Sequence, residues 1–296
     1  MTRRQALGEL IFAGVLWGFG FVATVWALTA FTPSELLAWR FVIAVVVAEV
    51  GRLLWRLLRG LPLDLKPDTG DLKRSIPAGI LLATMLLPQT IGLQYTTASK
   101  SGFLTALYVI FVPLVAHFAL GTRQKPRVYL YALLALAGAY LLMGADFSSL
   151  NPGDLWTILC ALIAAFHILY IEKISMQIKD PFRFNTLQTA FCLIPVFPLL
   201  TLQPQIQWWT SDLLVWFGIL SLAIGSTVIG FTIQLRTQRV LNSTTASMLF
   251  LLESPFSLLF GIILLKEPFG PFQAAGAVLI LLAALQTVRS ETTSSK

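Results

Sequence analysis

Residues 96–113 read TTASKSGFLTALYVIFVP, and this stretch shows how the whole chain is organised. Four small residues, Thr96–Ser99, three of them polar, open an apolar segment that Pro113 interrupts. The same tetrad returns at Thr244–Ser247, 148 residues later, which is half of the 296-residue chain. A long internal period of this kind predicts two related halves, residues 1–148 and 149–296.

The composition predicts a membrane protein. The chain is 56% hydrophobic and 12% charged, against about 25% charged residues in a typical soluble domain. A soluble core of this size cannot hide so much apolar surface, so lipid must cover much of it. Because the spans lie in lipid, they must be helical, and we expect an all-α membrane protein.

Ten apolar segments are long enough to cross a bilayer, whose hydrocarbon core needs about 20 residues of helix. Short breaks rich in turn residues separate them, such as Thr32-Pro33, Asn151-Pro152-Gly153 and Asp180-Pro181. The predicted spans are 7–29, 34–58, 75–94, 99–119, 127–145, 154–172, 183–202, 212–235, 243–265 and 270–289.

Basic residues predict the orientation of these spans. When the N-terminus is placed inside, most of the 21 Lys and Arg residues fall in inner loops. Lys100 and Lys266 fall outside, and Arg40 lies within a span. Both termini are therefore predicted to be cytoplasmic. The net charge of +7 is interpreted as an orientation signal beside an anionic leaflet, and no nucleic-acid partner is expected.

Five spans in each half make the second half enter the membrane in the opposite sense. The duplication is therefore predicted to be an inverted repeat, joined by an outer loop at Ala145–Gly153. In transporters built this way, substrates bind near the bilayer midplane between the repeats.

With this repeat in place, the sequence resembles the EamA-type, ten-helix members of the drug/metabolite transporter superfamily. The motifs that carry the resemblance cover nearly the whole chain. They are Leu16-Trp17-Gly18-Phe19-Gly20-Phe21, Pro33 followed by Arg40, Tyr95–Ser99 with Gly102-Phe103-Leu104 and Pro113, Thr244–Ser247 with Leu251–Pro255, and Lys266-Glu267-Pro268.

The resemblance implies a multi-pass carrier of the bacterial inner membrane, often an exporter of amino acids or similar metabolites. It also implies a central cavity lined mainly by spans 1, 3, 4, 6, 8 and 9. In one place the sequence departs from the family pattern, because Thr122-Arg123 stands where an acidic residue is often found. No role is transferred to that position.

Glu253 is the most informative single residue. It lies ten residues into the ninth predicted span, roughly 15 Å deep, where a carboxylate costs about 2.5–3.5 kcal/mol. One hypothesis is substrate contact or proton coupling. The other is a buried carboxyl that joins two helices through neighbouring hydroxyl or amide groups. The 148-residue offset places Thr105 opposite Glu253.

Arg40 and Glu49 are two of the charged residues within the second predicted span. They are nine residues apart, which places them on opposite faces of a straight helix. Glu49 is instead expected to pair with Arg52 at i,i+3. The favoured interpretation of Arg40 is an anchor or a structural ion pair, with its side chain reaching toward the outer interface.

Several other polar or aromatic side chains are candidates for the cavity. An aromatic wall of Trp17, Tyr95, Tyr108 and Tyr170 is one hypothesis. For Trp17 and His167, packing is an equal alternative, and for His117 it is favoured. The predicted cavity residues are Glu253, Trp17, Gln89, Thr105, Tyr108, His167 and Gln234, and the predicted gating or helix-breaking residues are Pro88, Pro113 and Pro255.

Two further features are interpreted structurally. Gly14 and Gly18 form a GxxxG pair, which indicates close helix packing inside one monomer or between protomers. Cys160 and Cys192 lie in apolar runs without metal or redox spacing, so we expect buried free thiols.

Motif spacing favours a carrier over an enzyme. The sequence shows no metal-ligand spacing, nucleotide motif or catalytic constellation, so no cofactor, metal or catalytic residue is expected. We therefore predict a secondary-active transporter, an exporter of small metabolites such as amino acids, that works by alternating access. Protons are a candidate coupling ion, and the state is a monomer or homodimer. The alternatives are a proton-coupled exporter of aromatic or cationic drugs, and a non-transporting scaffold or channel.

Overall fold

The computed structural model describes residues 1–121, 126–142, 151–268 and 270–294, and these residues are mostly helical. A π-helical segment, Ser221–Gly230, and a 3₁₀ turn, Ser175–Gln177, interrupt the α-helices. The α-helices are α1 Arg3–Ala27, α2 Pro33–Leu58, α3 Thr69–Gly92, α4 Ala98–Thr105, α5 Tyr108–Leu120, α6 Pro126–Leu142, α7 Pro152–Ile174, α8 Pro181–Phe191, α9 Leu193–Thr201, α10 Leu213–Leu220, α11 Phe231–Thr237, α12 Ser243–Phe250, α13 Glu253–Leu265 and α14 Pro271–Ser294.

Helices begin where the sequence predicts breaks, and side-chain caps explain why. Thr32 and Glu35 form a capping box at the start of α2, and Asn151 and Asp154 form another at the start of α7. Asp180 caps α8 by accepting from two backbone N–H groups. A proline follows each of these three caps, where its missing N–H costs no hydrogen bond.

Seven helices or helix pairs are long and apolar enough to span a membrane. Helix α2 is not among them, because charged residues recur along it. The described apolar parts of α6 and α14 are shorter, at 10–17 residues. Ten spans therefore remain a prediction. The seven are Arg3–Ala27, Thr69–Gly92, Ala98–Phe118, Pro152–Gln177, Pro181–Thr201, Leu213–Thr237 and Ser243–Leu265.

Three of the described spans are divided between two α-helices by a short break, and one of these breaks falls at residue 192, between α8 and α9. The break between α4 and α5 falls at residues 106–107, whereas Pro113 lies inside α5. The break between α12 and α13 falls at 251–252, whereas Pro255 is the third residue of α13. Pro88 lies inside α3, buried near the end of that helix. A proline disturbs the helical bond to the residue four positions before it, so the break at 251–252 agrees with the prediction for Pro255. Pro113 lies too far from the break at 106–107 to cause it, and its predicted role as a break point is wrong.

The packing of helices follows the same order in the two halves. Helix α3 of the first half packs against α7 of the second half. When the halves are exchanged, the equivalent contact is that of α1 with α10 and with the π-helical segment. Helix α1 packs against α13, and the equivalent contact joins α7 to α4 and α5. The last helices of the halves, α6 and α14, pack against each other. Each major contact therefore has a counterpart when the halves are exchanged.

The helix boundaries define the register of the repeat. Helices α4 and α12 begin 145 residues apart, and so do α5 and α13, at Tyr108 and Glu253. The expected offset of 148 is wrong here, because α4 begins after Thr97 whereas α12 begins after Asn242. The counterpart of Glu253 is therefore Tyr108 and not Thr105. The expected joint at Ala145–Gly153, including the division at residue 148, lies largely outside the described residues, as does Thr122-Arg123.

The two structural interpretations from the sequence are confirmed. A Cβ at Gly18 would lie 2.5 Å from the Cβ of Phe256, and one at Gly14 would lie 3.2 Å from the Cβ of Leu252. The GxxxG pair therefore lets α1 pack closely on α13 within one chain. Cys160 and Cys192 are both free and buried.

Candidate functional site

A cavity lies at the middle of the bundle, and helices from both halves line it. Its free volume is about 630 Å³, which includes open solvent at its mouth. The structure brings all seven predicted cavity residues to its wall. These are Trp17, Gln89, Thr105, Tyr108, His167, Gln234 and Glu253.

Glu253 is the acidic residue of the cavity wall. It is the first residue of α13, directly after the break at residues 251–252. The side chain is 7% exposed, and its Oε1 atom accepts a hydrogen bond of 3.0 Å from the Tyr108 hydroxyl. Since Tyr108 is the counterpart of Glu253 in the first half, this bond joins the two repeats at equivalent positions.

Aromatic side chains form one side of the cavity. The Trp17 ring lies 5.6 Å from the Phe231 ring and 5.2 Å from the Phe250 ring, measured between centroids. The expected wall is therefore only partly right, because Tyr95 is 59% exposed and Tyr170 lies outside the cavity. The Tyr170 hydroxyl donates to the Arg74 carbonyl instead.

The π-helical segment provides the seat for Trp17. The indole Nε1 atom donates to the Ser226 carbonyl at 3.2 Å, and the Ser226 hydroxyl donates to the Leu16 carbonyl at 3.1 Å. A Cβ at Gly230 would lie 2.6 Å from the indole Nε1, so that position must stay open. Departures from α-helical bonding of this kind often occur at functional sites.

Amide side chains supply the neutral polar groups of the wall. Gln89 Nε2 donates to the Thr105 hydroxyl at 3.1 Å. Gln234 Nε2 donates to Gln238 Oε1 at 3.0 Å, and Gln238 in turn donates to the Ile168 carbonyl. These bonds hold two amide groups at the surface of the cavity in fixed orientations.

His167 is buried in the cavity wall, with its ring 6.2 Å from the Phe231 ring. Its imidazole interacts with the side chain of Gln188, so the ring is held between Gln188 and Phe231. His117 does not line the cavity, and its ring packs against Phe118.

Arg40 also lines the cavity, although it was interpreted as an anchor or a structural ion pair. It is 4% exposed, and its Nε atom donates to the Thr227 hydroxyl at 2.8 Å. The anchor interpretation is therefore wrong. The spacing between Arg40 and Glu49 contained the useful signal. Glu49 pairs with Arg52, as expected, and Arg40 lies on the opposite face of the helix.

Polar contacts tie the helices together at one end of the bundle, here called the Asp154 end. Lys100 pairs with the buried Asp154 at 2.7 Å. Glu267 reaches across from the segment after α13 to the start of α4. There its carboxylate accepts hydrogen bonds from the backbone N–H groups of Ala98 and Ser99 and from the Ser99 hydroxyl.

A second set of contacts lies at the opposite end, here called the Asp68 end. Arg183 pairs with Asp64 at 2.7 Å, and Lys179 pairs with Asp68 at 2.5 Å. The hydrogen bond from the Lys179 ammonium lowers the pKa of Asp68, and Asp68 raises the pKa of Lys179. Ion pairs thus join the two halves at both ends of the bundle.

The described residues contain no cluster of three or more His, Cys, Asp or Glu side chains that could hold a metal ion. The cavity instead offers one carboxylate, one guanidinium, an imidazole and several amides and hydroxyls. This set can bind the charged and polar groups of a small molecule, while the aromatic side chains contact its apolar part.

Comparison with known proteins identifies the family. The model of the EamA-like transporter family matches the chain twice, over residues 7–144 and 151–289. The chain belongs to the EamA-like transporter family. The two matches confirm the family and the two-copy organisation expected from the sequence. As a member of this family, the protein is a multi-pass membrane transporter.

The similar proteins agree with this assignment. An uncharacterized transporter of Archaeoglobus fulgidus is 29% identical over 278 residues, which cover 93% of this chain and 83% of the relative. The uncharacterized transporter YcxC of Bacillus subtilis is 27% identical over 168 residues, covering 55% of this chain and 52% of YcxC. A solved structure described only as "Crystal structure of protein" shares the fold, with a TM-score of 0.73 and 21% identity over 98% of this chain and 100% of that one.

Proposed function

We propose that this EamA-family protein is a secondary-active carrier that exports small metabolites such as amino acids across the bacterial inner membrane. One observation carries the proposal: Glu253 lies at a helix break in the wall of a central cavity that both repeats line. A carboxylate at that depth in lipid costs about 2.5–3.5 kcal/mol. Exposure to a polar cavity lowers this cost and gives the carboxylate access to a substrate or a proton.

Charge distribution supports a ten-span topology with both termini in the cytoplasm. Basic residues concentrate in the segments that this topology places inside, and an odd number of spans per repeat makes the repeats inverted. In this orientation the Asp154 end faces outward and the Asp68 end faces the cytoplasm. Helix α2 then spans the membrane with Arg40 facing the cavity and Glu49 paired to Arg52.

The contacts that join the halves at the two ends support alternating access. Outward opening requires the Lys100–Asp154 pair and the Glu267 contacts to separate, because they join α4 to α7 and to the segment after α13. Inward opening requires the Lys179–Asp68 and Arg183–Asp64 pairs to separate. A carrier opens one set while it keeps the other closed, so the cavity is never open to both sides at once.

Glu253 provides a coupling mechanism for this cycle. The carboxylate binds either a proton or the cationic group of the substrate, and the Tyr108 hydroxyl holds it in position in both cases. Because this hydrogen bond joins equivalent positions of the two repeats, a change in the charge of Glu253 acts directly on the contact between the repeats. In an export cycle, a proton that reaches Glu253 from the outer face displaces the substrate to that face, and the proton is released on the inner face after the bundle has reopened inward.

A second candidate function is proton-coupled export of aromatic or cationic drugs. The specific observation that favours it is the aromatic cluster of Trp17, Phe231 and Phe250 beside Glu253. A planar cation can stack on these rings while its charge pairs with the carboxylate. This substrate needs no group that binds an anion.

Counterflow in proteoliposomes tests the proposal. Purified protein is reconstituted, loaded with unlabelled compound and supplied with labelled amino acids, organic amines or sugars outside. Saturable uptake of labelled amino acids, driven by exchange, is the expected result. Uptake of aromatic amines alone supports the second function. Flux that rises linearly with concentration, or no flux for the whole panel, contradicts a carrier of these substrates and favours a channel or a scaffold.

A further inference from the structure

Arg40 is a buried cation that the proposed transport cycle does not use. It lies in α2, and its side chain reaches the cavity that contains Glu253. Its Nε atom is held by the Thr227 hydroxyl oxygen at 2.8 Å. That hydroxyl donates its own hydrogen to the Leu222 carbonyl at 2.9 Å, five residues back in the π-helical segment. Thr227 therefore serves Arg40 as an acceptor and fixes one edge of the guanidinium.

The other edge of the guanidinium has no acidic partner. Within the described part of the chain, no carboxylate lies within 4.0 Å of Arg40, whereas Arg52 and Arg183 each have one. The terminal nitrogens of Arg40 also make no hydrogen bond to the described residues. Since arginine stays protonated in proteins, the charge cannot be removed by losing a proton. A buried and uncompensated charge costs several kcal/mol, so it needs a partner from elsewhere.

We infer that Arg40, oriented by Thr227, binds the anionic group of the transported molecule, which the chemistry identifies as a carboxylate. The planar guanidinium matches a carboxylate with two parallel hydrogen bonds, and the terminal nitrogens of Arg40 are the ones left for it. The inference rests on the proposed transport function and specifies its substrate class.

The rest of the cavity determines what else the substrate carries. Glu253 lines the same cavity and suits an ammonium group, so the two charges together match a zwitterion. The rings of Trp17, Phe231 and Phe250 line the same space and contact an apolar side chain. An α-amino acid with an aromatic or branched side chain meets all three requirements. An organic amine leaves Arg40 without its partner.

Binding of matched ligands tests this assignment. Phenylalanine and phenethylamine differ by one carboxylate, so calorimetric titration of both into the full-length protein in detergent isolates that group. For the wild type we expect phenylalanine to bind at least roughly tenfold more tightly than phenethylamine. In Arg40→Met this preference disappears, because phenylalanine weakens by at least roughly tenfold while phenethylamine changes by less than about twofold.

Three further variants make the test specific. Arg52→Met removes a buried arginine that has its own partner outside the cavity, and it is expected to leave both affinities unchanged. Arg40→Lys keeps the charge without the planar fork and should retain part of the preference. Thr227→Val keeps Arg40 but removes the acceptor that orients it, so phenylalanine should weaken while phenethylamine does not. Thr227→Val also serves as the test if Arg40→Met does not yield folded protein by size-exclusion chromatography.

Two results overturn the assignment. One is equal binding of the two ligands by the wild type, and the other is an unchanged preference for phenylalanine in folded Arg40→Met or Thr227→Val. Either of these results can occur in a protein that still shows saturable counterflow of amines. In that case the carrier function is supported and the proposed role of Arg40 is wrong. Absence of any counterflow in the wild type contradicts the transport function itself.

Discussion

The broken helices α4–α5 and α12–α13 occupy equivalent places in the two halves. Their helices have the same lengths, but their side chains differ in chemistry. The first helix of each pair has 8 residues, and the second has 13. Each pair ends in a left-handed residue, Gly121 at φ 66° and Lys266 at φ 56°. At the first position after the break, one half has Tyr108 and the other has Glu253. The shape of the break is thus repeated, whereas the ionisable group occurs in one half only.

The partners of the broken helices also differ. Ser254 and Ser257 of α13 donate hydrogen bonds to the carbonyls of Gly102 and Ala98 in α4, at 2.8 and 2.7 Å. The corresponding contact between α5 and α12 involves buried apolar side chains such as Val112. The repeat therefore supplies two similar frames, and side chains decide that one crossing is polar and the other apolar.

The largest expected effect comes from removing the charge that distinguishes the two halves. We predict that Glu253→Gln lowers the transport rate by roughly 100-fold and abolishes its dependence on pH. The amide keeps the shape of the side chain and can still accept from Tyr108, but it cannot exchange a proton. Counterflow between pH 5 and 8 measures this, and an unchanged rate and pH profile would remove Glu253 from the mechanism.

The second prediction concerns the packing of α1 against the α13 break. A Cβ at Gly18 would lie 2.9 Å from the carbonyl oxygen of Glu253 as well as in contact with Phe256. Gly18→Ala should therefore destabilise the protein by about 1–3 kcal/mol, because α1 must move away. Gly8→Ala is the matched control on the same helix, since nothing lies within 4 Å of a Cβ there. Equal thermal stability of the two variants in detergent would contradict this packing.

A smaller effect is expected from a substitution at Tyr108, the counterpart of Glu253 in the first half. Tyr108→Phe removes the hydroxyl that donates to Glu253 and keeps the ring. We predict a loss of roughly five- to tenfold in transport rate, which corresponds to one hydrogen bond of about 1 kcal/mol. The pH dependence should persist, because Glu253 is still present. Complete loss of pH dependence in Tyr108→Phe would show that the pair titrates as a unit and that the halves are less different than proposed.

The smallest expected effect is a difference in melting temperature between substitutions at two equivalent helix caps. Asp68 caps α3 and Asp212 caps α10, but in the described residues only Asp68 has a basic partner, Lys179. Asn preserves the cap, so Asp68→Asn should lower the melting temperature at pH 7 slightly more than Asp212→Asn. Since Lys179 lowers the pKa of Asp68, the stabilisation is present above the unfolded value of about 3.9 and is lost as the pH falls through the folded pKa. Melting curves in detergent at pH 3 and 7 would show whether the difference is confined to the higher pH.

The composition of the cavity could be predicted from sequence for a simple reason. Trp17, Gln89, His167 and Glu253 are polar or amphipathic residues in apolar spans, and such groups must find a polar surrounding inside the bundle. Arg40 obeys the same rule, but a long side chain can also reach the interface, so the sequence did not separate the two outcomes.

The register of the repeat could not be predicted from the repeated letters. The tetrads at Thr96 and Thr244 look equivalent, yet Thr97 caps α4 while Asn242, two residues before the second tetrad, caps α12. A capping residue is chosen by its hydrogen bond to the backbone, and Thr and Asn serve equally well. Three residues of slippage then change the counterpart of Glu253 from Thr105 to Tyr108. The break at 106–107 could not be predicted either, because Pro113 lies inside α5 and no proline stands within four residues after the break.

The π-helical segment records how the two halves came to differ in length. The N-caps of α3 and α10, Asp68 and Asp212, are 144 residues apart. The last residues of α3 and α11 are 145 residues apart. The second half therefore has one additional residue within this span, and Ser221–Gly230 absorbs it. In an α-helix an insertion would rotate all later side chains by roughly 100°. A widened turn confines the change, so that both flanks stay in register with the first half, and the segment provides the Thr227 hydroxyl for Arg40. Deleting one residue between 221 and 230 would give the spacing of the first half.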